Sequence, residues 1–172
     1  MSVTRRYLGP VLTLLRRAFT ADEARDVAAW AYPPPFDLYD GDPGNPGLFI
    51  ARGPGGEGYY PAVDEVGRVV AFAVVGSEAR VRGQEPADGV IDVGMGVRPG
   101  ATSAGLGTAL VEQVVALARE LDAGVAVRAA VAIFNERSLA LCRSAGFHPV
   151  RDFEGPCGRT FRELVRPLDD AG

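Results

Sequence analysis

The pattern of hydrophobic and polar residues near the start of the chain predicts two short helices. Apolar residues between positions 10 and 19 recur at intervals of three and four, which gives a helix one apolar face. Thr20 and Glu23 have the spacing of a capping box, in which each side chain bonds a free backbone amide at the start of a helix. We therefore expect a second helix that runs to about Trp30.

Strand patterns follow the two helices. Runs of β-branched and aromatic residues predict strands at 48–51, 59–63, 68–75 and 89–97. The sequence Asp-Glu-Val-Gly at 64–67 is typical of a hairpin turn between the second and third of these strands.

The following segment changes from a strand period to a helix period. Residues 108–121 have the spacing of a helix with one apolar face. The apolar run 125–134, broken only by Arg128, is typical of a strand that is covered on both faces. A helix between two apolar strands indicates an α/β or α+β sheet that contains one parallel crossover.

Capping residues bound the last helix. Asn135 is a favourable N-cap, and Gly146 is a favourable residue just past the end of a helix. Strands are expected at 147–153 and 160–165, and residues 169–172 are expected to form a frayed tail.

Length and composition predict a single domain over residues 1–172. Of these residues 47% are hydrophobic, which is enough for a core without disulfides or metal. No apolar stretch approaches the roughly 18 residues needed to cross a bilayer, and the start of the sequence lacks a segment of signal-peptide type. We therefore expect a cytoplasmic protein that binds no membrane.

The charged residues exclude several kinds of chemistry. All 18 basic residues are Arg, so a lysine Schiff base is excluded, and this usage is typical of GC-rich bacterial coding. With 22 acidic residues the net charge is 18 − 22 = −4, which argues against nucleic-acid binding. Two cysteines and one histidine are too few for a structural zinc site, so no metal is expected.

A glycine-rich turn between a strand and the best helix is the most informative segment. Such a turn offers unpaired backbone amides and the positive end of a helix dipole to an anion, although it also occurs simply as a tight connection. The phosphate-loop motif fails because Leu106 and Gly107 stand where Lys and Ser or Thr are required. The dinucleotide motif G-x-G-x-x-G also fails, because Pro99 and Leu110 stand where its third glycine is required.

Two gapped motifs resemble those of the GNAT N-acetyltransferases. The acetyl-CoA motif of that family, V-x-P-x-x-[QR]-x-x-G-x-[GA], is similar to the pattern of Val97, Pro99, Thr102, Gly105 and Gly107. Thirty residues past Gly105, the family's second motif, N-x-x-A-x-x-L-Y-x-x-x-G-F, is similar to the pattern of Asn135, Ser138, Leu141, Cys142, Gly146 and Phe147.

The resemblance implies a fold and a reaction. The fold would be a mixed, mostly antiparallel sheet of six to seven strands with flanking helices and one parallel βαβ crossover. The reaction would be direct transfer of an acetyl group from acetyl-CoA to a primary amine of a small molecule or peptide, with the acceptor left open. A non-catalytic acyl-CoA-binding regulatory module is the alternative, and a homodimer is possible because family members often dimerise.

The resemblance also implies which residues bind the cofactor. The backbone of Met95, Gly96 and Val97 would pair with the pantetheine arm, and Asn135 would hydrogen-bond that arm. The turn and first helical residues would hold the diphosphate: Ser103, Ala104, Gly105, Leu106, Gly107 and Thr108. Thr102 replaces the usual Gln or Arg, which removes one side-chain contact and leaves the backbone in place.

Catalytic residues are expected from the same resemblance. Asp92 is the first choice of general base, because family members often place an acid on this strand. Cys142 replaces a Tyr that protonates the departing thiolate, and it is either that acid or inert packing.

Aromatic residues near acidic residues in the first half of the chain are candidates for binding the amine acceptor. The aromatic residues are Trp30, Tyr32, Phe36 and Tyr39, and the acidic residues beside them are Asp37, Asp40 and Asp42. Packing in the core explains the same aromatic residues equally well.

Overall fold

Seven strands and three helices form the framework of the computed structural model, which describes residues 11–101 and 105–167. The strands are β1 (Thr13–Leu14), β2 (Gly58–Val63), β3 (Val69–Val75), β4 (Val90–Val97), β5 (Ala126–Ala132), β6 (His148–Glu154) and β7 (Thr160–Arg166). The helices are α1 (Ala21–Ala28), α2 (Leu106–Leu121) and α3 (Glu136–Ser144).

One sheet contains all of these strands, in the order β1-β2-β3-β4-β5-β7-β6. Neighbouring strands run antiparallel except for β4 and β5, which are parallel and are connected through α2. The predicted fold class, a mostly antiparallel sheet with one parallel crossover, is therefore confirmed. None of the helices in the described ranges is long and apolar enough to cross a membrane.

The helices cover opposite faces of the sheet. Helices α2 and α3 pack on one face, where Leu110 and Leu117 lie in the main core with Val127 of β5. Helix α1 packs on the other face, where Val27 lies in a second core with Phe49 and Val69. Side chains on successive strand residues point to alternate faces, so the odd-numbered residues of β4 face α2.

Two predictions for the first half of the chain are wrong. The described part of 10–19 contains the short strand β1 instead of a helix, because this segment pairs with β2 and is bonded to α2. Gln113 of α2 accepts from the Leu14 amide at 2.8 Å and donates to the Leu12 carbonyl at 2.9 Å. The predicted strand 48–51 instead overlaps a 3-10 helix at Pro46–Phe49, which buries Phe49 against the second core.

The other predicted elements are confirmed within a few residues, as are the capping signals. Thr20 and Glu23 form the expected capping box at the start of α1, and hydrogen bonds from Arg17 lower the pKa of Glu23 to about 2. Asn135 caps α3, and Gly146 follows its end with a φ of 83°. The predicted tail at 169–172 lies outside the described residues.

A buried row of alternating charges crosses the sheet where β4 meets β5. Both carboxylate oxygens of Asp92 on β4 accept from Arg128 on β5, at 2.6 and 3.0 Å. Arg128 also contacts Glu163 of β7 at 3.3 Å, and Glu163 contacts Arg151 of β6 at 3.1 Å. Arg80 completes the row, with its guanidinium 3.4 Å from Asp92. Paired in this way, the three buried charges avoid the large cost of isolated burial.

We predict that Arg128→Met lowers the free energy of unfolding at pH 7 by about 3 kcal/mol, because it leaves Asp92 and Glu163 buried without their shared cation. Denaturant unfolding at pH 7, followed by circular dichroism, measures this effect.

Arg162→Met is the matched control for this prediction. Arg162 lies on the same strand as Glu163 and bonds Asp152 at 2.8 Å in an exposed pair, so its loss should change stability little. Equal effects of the two substitutions would contradict a special role for the buried pair.

Candidate active site

A gap opens in the sheet where the parallel strands part. β4 and β5 pair at only three positions, the last of which is Asp92 with Arg128. Beyond that point β4 continues beside β3 as far as Val97, and β5 continues beside β7 as far as Ala132. The gap therefore lies between the C-terminal halves of two strands, and each half is held by its outer neighbour.

Backbone groups of β4 face this gap. The Arg98 amide bonds the Val70 carbonyl at 2.8 Å, and the Gly76 amide bonds the Asp92 carbonyl at 2.8 Å, so even-numbered positions near β4 bond toward β3. In an antiparallel pair the intervening residues direct their N–H and C=O groups to the opposite side. The backbone groups of Met95 and Val97 therefore face the gap, as required of a strand that pairs with an extended ligand.

The glycine turn brings the start of α2 to the same region. Gly105 is the N-cap of α2 and has a φ of 74°, a left-handed conformation that favours glycine. A Cβ at Gly107 would lie 3.1 Å from Leu141 of α3 and 3.7 Å from Met95, so the first turn packs closely on both neighbours. The unpaired amides of this turn, which includes Leu106 and Thr108, are suited to bind an anion. Three predicted residues, Thr102, Ser103 and Ala104, lie outside the described residues.

Asn135 lies at the other edge of the gap, just after β5. Its Oδ1 accepts from the Ser138 amide at 3.2 Å, which caps α3. Burial raises the pKa of Tyr39, and hydrogen bonding from the Asn135 side chain and the Ala132 backbone opposes that rise. Tyr39 therefore lies against the β5 edge of the gap.

The surroundings of Asp92 argue against the predicted role as general base. Its carboxylate is only 5% exposed, and both oxygens already accept from Arg128. Asp92 also borders a cavity of about 290 Å³ at the N-terminal end of β4, with Glu57, Arg80 and Asp122. That end of β4 is paired with β5, whereas Met95 and Val97 lie at the other end. The base role stays a prediction that this geometry does not favour.

Cys142 is also poorly placed for the acid role. It is 9% exposed and lies in the main core, where burial raises the pKa of its thiol to about 11. An ordinary thiol has a pKa of about 8.5, so transfer of a proton from Cys142 to a thiolate would be unfavourable. The structure therefore favours the alternative that Cys142 is packing.

Three of the four predicted aromatic residues line one cavity under α1. The cavity has a volume of about 190 Å³, and its walls include Trp30, Tyr32 and Tyr39 together with the carboxyl-bearing residues Asp40 and Asp42. Phe36 lies outside this wall and packs on Phe134, with ring centroids 5.6 Å apart.

Tyr32 connects this cavity to the β4 edge of the gap. Its hydroxyl donates to the Val97 carbonyl at 2.7 Å, and its backbone amide donates to Asp40 at 2.7 Å. Burial, with a contribution from Asp40, raises the pKa of Tyr32 to about 12, so the hydroxyl keeps its proton at neutral pH. These two hydrogen bonds fix the segment from Tyr32 to Asp40 to β4, the strand that faces the gap.

Phe72 and Arg128 are site residues that the sequence reasoning missed. The Phe72 ring lies over Gly96, where a Cβ would be only 2.5 Å from the ring, and it forms part of the cavity wall. The residue pattern of β3 in the sequence does not indicate that the Phe72 ring contacts β4. For Arg128 a signal existed, because a single charge within an apolar strand requires a buried partner.

The fold and this arrangement define an acetyltransferase. The chain belongs to the acetyltransferase (GNAT) family, whose sequence model matches residues 16–147. No protein of curated function matches the chain in sequence.

Solved acetyltransferase structures share the fold at low sequence identity. A GNAT superfamily phosphinothricin acetyltransferase from Sinorhizobium meliloti, in complex with acetyl-CoA, is 20% identical with a TM-score of 0.66, covering 94% of this chain and 89% of that one. The Salmonella typhimurium protein yncA, with its cofactor acetyl-CoA, is 18% identical with a TM-score of 0.67, covering 94% and 96%. A GCN5-related N-acetyltransferase from Kribbella flavida is 24% identical with a TM-score of 0.60, covering 91% and 98%.

We predict that the two cysteines react very differently with a thiol reagent such as dithionitrobenzoate at pH 8. The thiolate is the reactive form, so buried Cys142, with its pKa of about 11, should react only when the protein opens. Exposed Cys157 should react at once. Absorbance should report one fast thiol in the folded protein and two after unfolding.

Cys157→Ser supplies the control, since it should remove the fast reaction completely. Rapid labelling of Cys142 in that variant would mean that its thiol reaches the gap, and it would restore the acid role.

Proposed function

We propose that the protein is an acetyl-CoA-dependent N-acetyltransferase that moves the acetyl group directly to a primary amine of a small molecule or peptide. The observation that carries this proposal is the gap beyond the Asp92–Arg128 pair, which ends beside the glycine-capped start of α2. A gap that the backbone of Met95 and Val97 faces suits an extended amide-bearing arm, and the helix start suits a diphosphate. Coenzyme A contains both groups.

Different residues around the gap bind different parts of acetyl-CoA in this proposal. The backbone of Met95 and Val97 pairs with the pantetheine arm, whereas Gly96 between them bonds toward β3. Asn135 bonds the arm from the β5 side. The amides of the turn and of the first helical residues hold the diphosphate: Ser103, Ala104, Gly105, Leu106, Gly107 and Thr108. Thr102 lies beside them in the sequence, where the family usually has Gln or Arg. When bound, acetyl-CoA supplies the activated thioester.

The amine approaches from the face of the sheet that carries α1. On that face Tyr32 borders β4 and Tyr39 borders β5, so a substrate between them reaches the gap. Direct transfer needs an amine that has lost its proton and an exit for that proton. The exposed carboxylates of Asp40 and Asp42 line the route, attract the ammonium form and lie open to water that takes up its proton.

A second candidate function is a non-catalytic acyl-CoA-binding regulatory module. The observation in its favour is that Asp92 is held in an ion pair and Cys142 is buried in the core. Both candidates require cofactor binding, and they differ only in turnover.

We predict that Gly107→Val weakens acetyl-CoA binding at least tenfold in calorimetry. A side chain at this position crowds Leu141 and Met95 and displaces the first turn of α2 from the gap. A loss of one or two amide hydrogen bonds to a charged group accounts for an effect of this size.

Gly124→Val is the matched control, because Gly124 lies beyond the other end of α2 and a Cβ there makes only ordinary contact. Its affinity should equal that of the unaltered protein, and thermal melts should show that both variants are folded. An absence of binding heat with the unaltered protein at millimolar acetyl-CoA would end the proposal.

We expect release of free coenzyme A thiol when the protein is incubated with acetyl-CoA and a panel of primary amines. Mass spectrometry should find a product heavier than the amine by one acetyl group. Cofactor binding without turnover on any amine would favour the regulatory module instead.

A further inference from the structure

We infer that the cavity under α1 binds an arylalkylamine, a primary amine joined by a short chain to one aromatic ring. This inference rests on the proposed function, since it names the class of amine that the enzyme acetylates.

The position of the cavity places its occupant beside the gap. Tyr32 forms part of its wall and donates to the carbonyl of Val97. Phe72 forms another part, and its ring lies over Gly96. Tyr39 continues the wall toward Asn135 at the β5 edge. An occupant therefore has β4 on one side and β5 on the other, and its amine end reaches the strands' C-terminal halves.

The charge of the cavity selects a cation. Among the described residues, its wall contains two carboxyl-bearing residues, Asp40 and Asp42, and no basic residue. The wall is formed by Val27, Trp30, Tyr32, Tyr39, Asp40, Gly41, Asp42, Asn45, Leu48, Phe49, Tyr59 and Phe72. The ammonium form of an amine is attracted both by the carboxylates and by the faces of the aromatic rings. An acceptor that bears its own carboxylate would meet two acids without a compensating cation.

The size and the walls of the cavity select a single ring. A cavity of about 150 Å³ accommodates benzene, so about 190 Å³ holds one substituted ring. Phe49, Tyr59 and Phe72 pack on one another with centroids 4.6 to 5.7 Å apart, which is the spacing at which a further ring also packs favourably. A long flexible polyamine would bury little apolar surface here.

The test is direct binding of three related probes to the protein, measured by calorimetry without turnover. Phenethylamine carries both the amine and the ring, butylamine lacks the ring, and phenylalanine adds a carboxylate to phenethylamine. We expect phenethylamine to bind at least tenfold more tightly than butylamine, because butylamine places no ring against Phe49, Tyr59 and Phe72. Phenylalanine should bind at least tenfold more weakly than phenethylamine.

Variants locate the binding site. Phe72→Leu should reduce the preference for phenethylamine over butylamine while leaving butylamine binding nearly unchanged. Asp42→Asn should weaken both amines several-fold. Asp37→Asn is the matched control, because Asp37 is an exposed acid of the same loop that does not line the cavity.

The outcomes separate this inference from the proposed function. Equal binding of phenethylamine, butylamine and phenylalanine, or no binding of phenethylamine by a protein that binds acetyl-CoA, overturns the inference and leaves the acetyltransferase proposal standing. Failure to bind acetyl-CoA overturns the function, whatever the amines do. The comparison of probes on the unaltered protein needs no variant, so a Phe72→Leu protein that fails to fold does not prevent a decision.

Discussion

The ion pair between Asp92 and Arg128 lies where β4 and β5 separate, and the site depends on that separation. It joins the last paired residues of β4 and β5, and it is buried, so the two strands are held together there and separate beyond it. Glu163 continues the row of charges into β7, which keeps β5 beside its outer neighbour. A sheet that paired along the whole of β4 and β5 would leave no gap and no free backbone for an extended ligand.

The two faces of the sheet supply different chemical groups at this gap. The α2 face supplies a helix start at the gap's open end, where an anion is stabilised by amides and the helix dipole. The α1 face supplies aromatic walls and carboxylates, which suit a cationic ring-bearing molecule. Arg98 ties this second face to the strands, since its guanidinium bonds the Val69 carbonyl at 2.6 Å, pairs with Asp26 of α1 and lies over Trp30.

The parts that could be predicted from sequence depend on neighbours along the chain. The capping box, the caps of α3 and the glycine turn are local, so residues a few positions apart define them. The segment 10–19 was misassigned because its partners, β2 and Gln113, lie far along the chain. The pair of Asp92 with Arg128 was missed for the same reason: strand register places two residues 36 positions apart side by side.

Tyr32 and Tyr39 belong to one short stretch of chain, yet they contact opposite edges of the gap. A change in the separation of β4 and β5 therefore moves the wall of the aromatic cavity, and a molecule that orders this wall restrains the separation in return. If two substrates occupy the gap and the cavity as we propose, their binding is thermodynamically linked, and each alters the affinity for the other by the same factor.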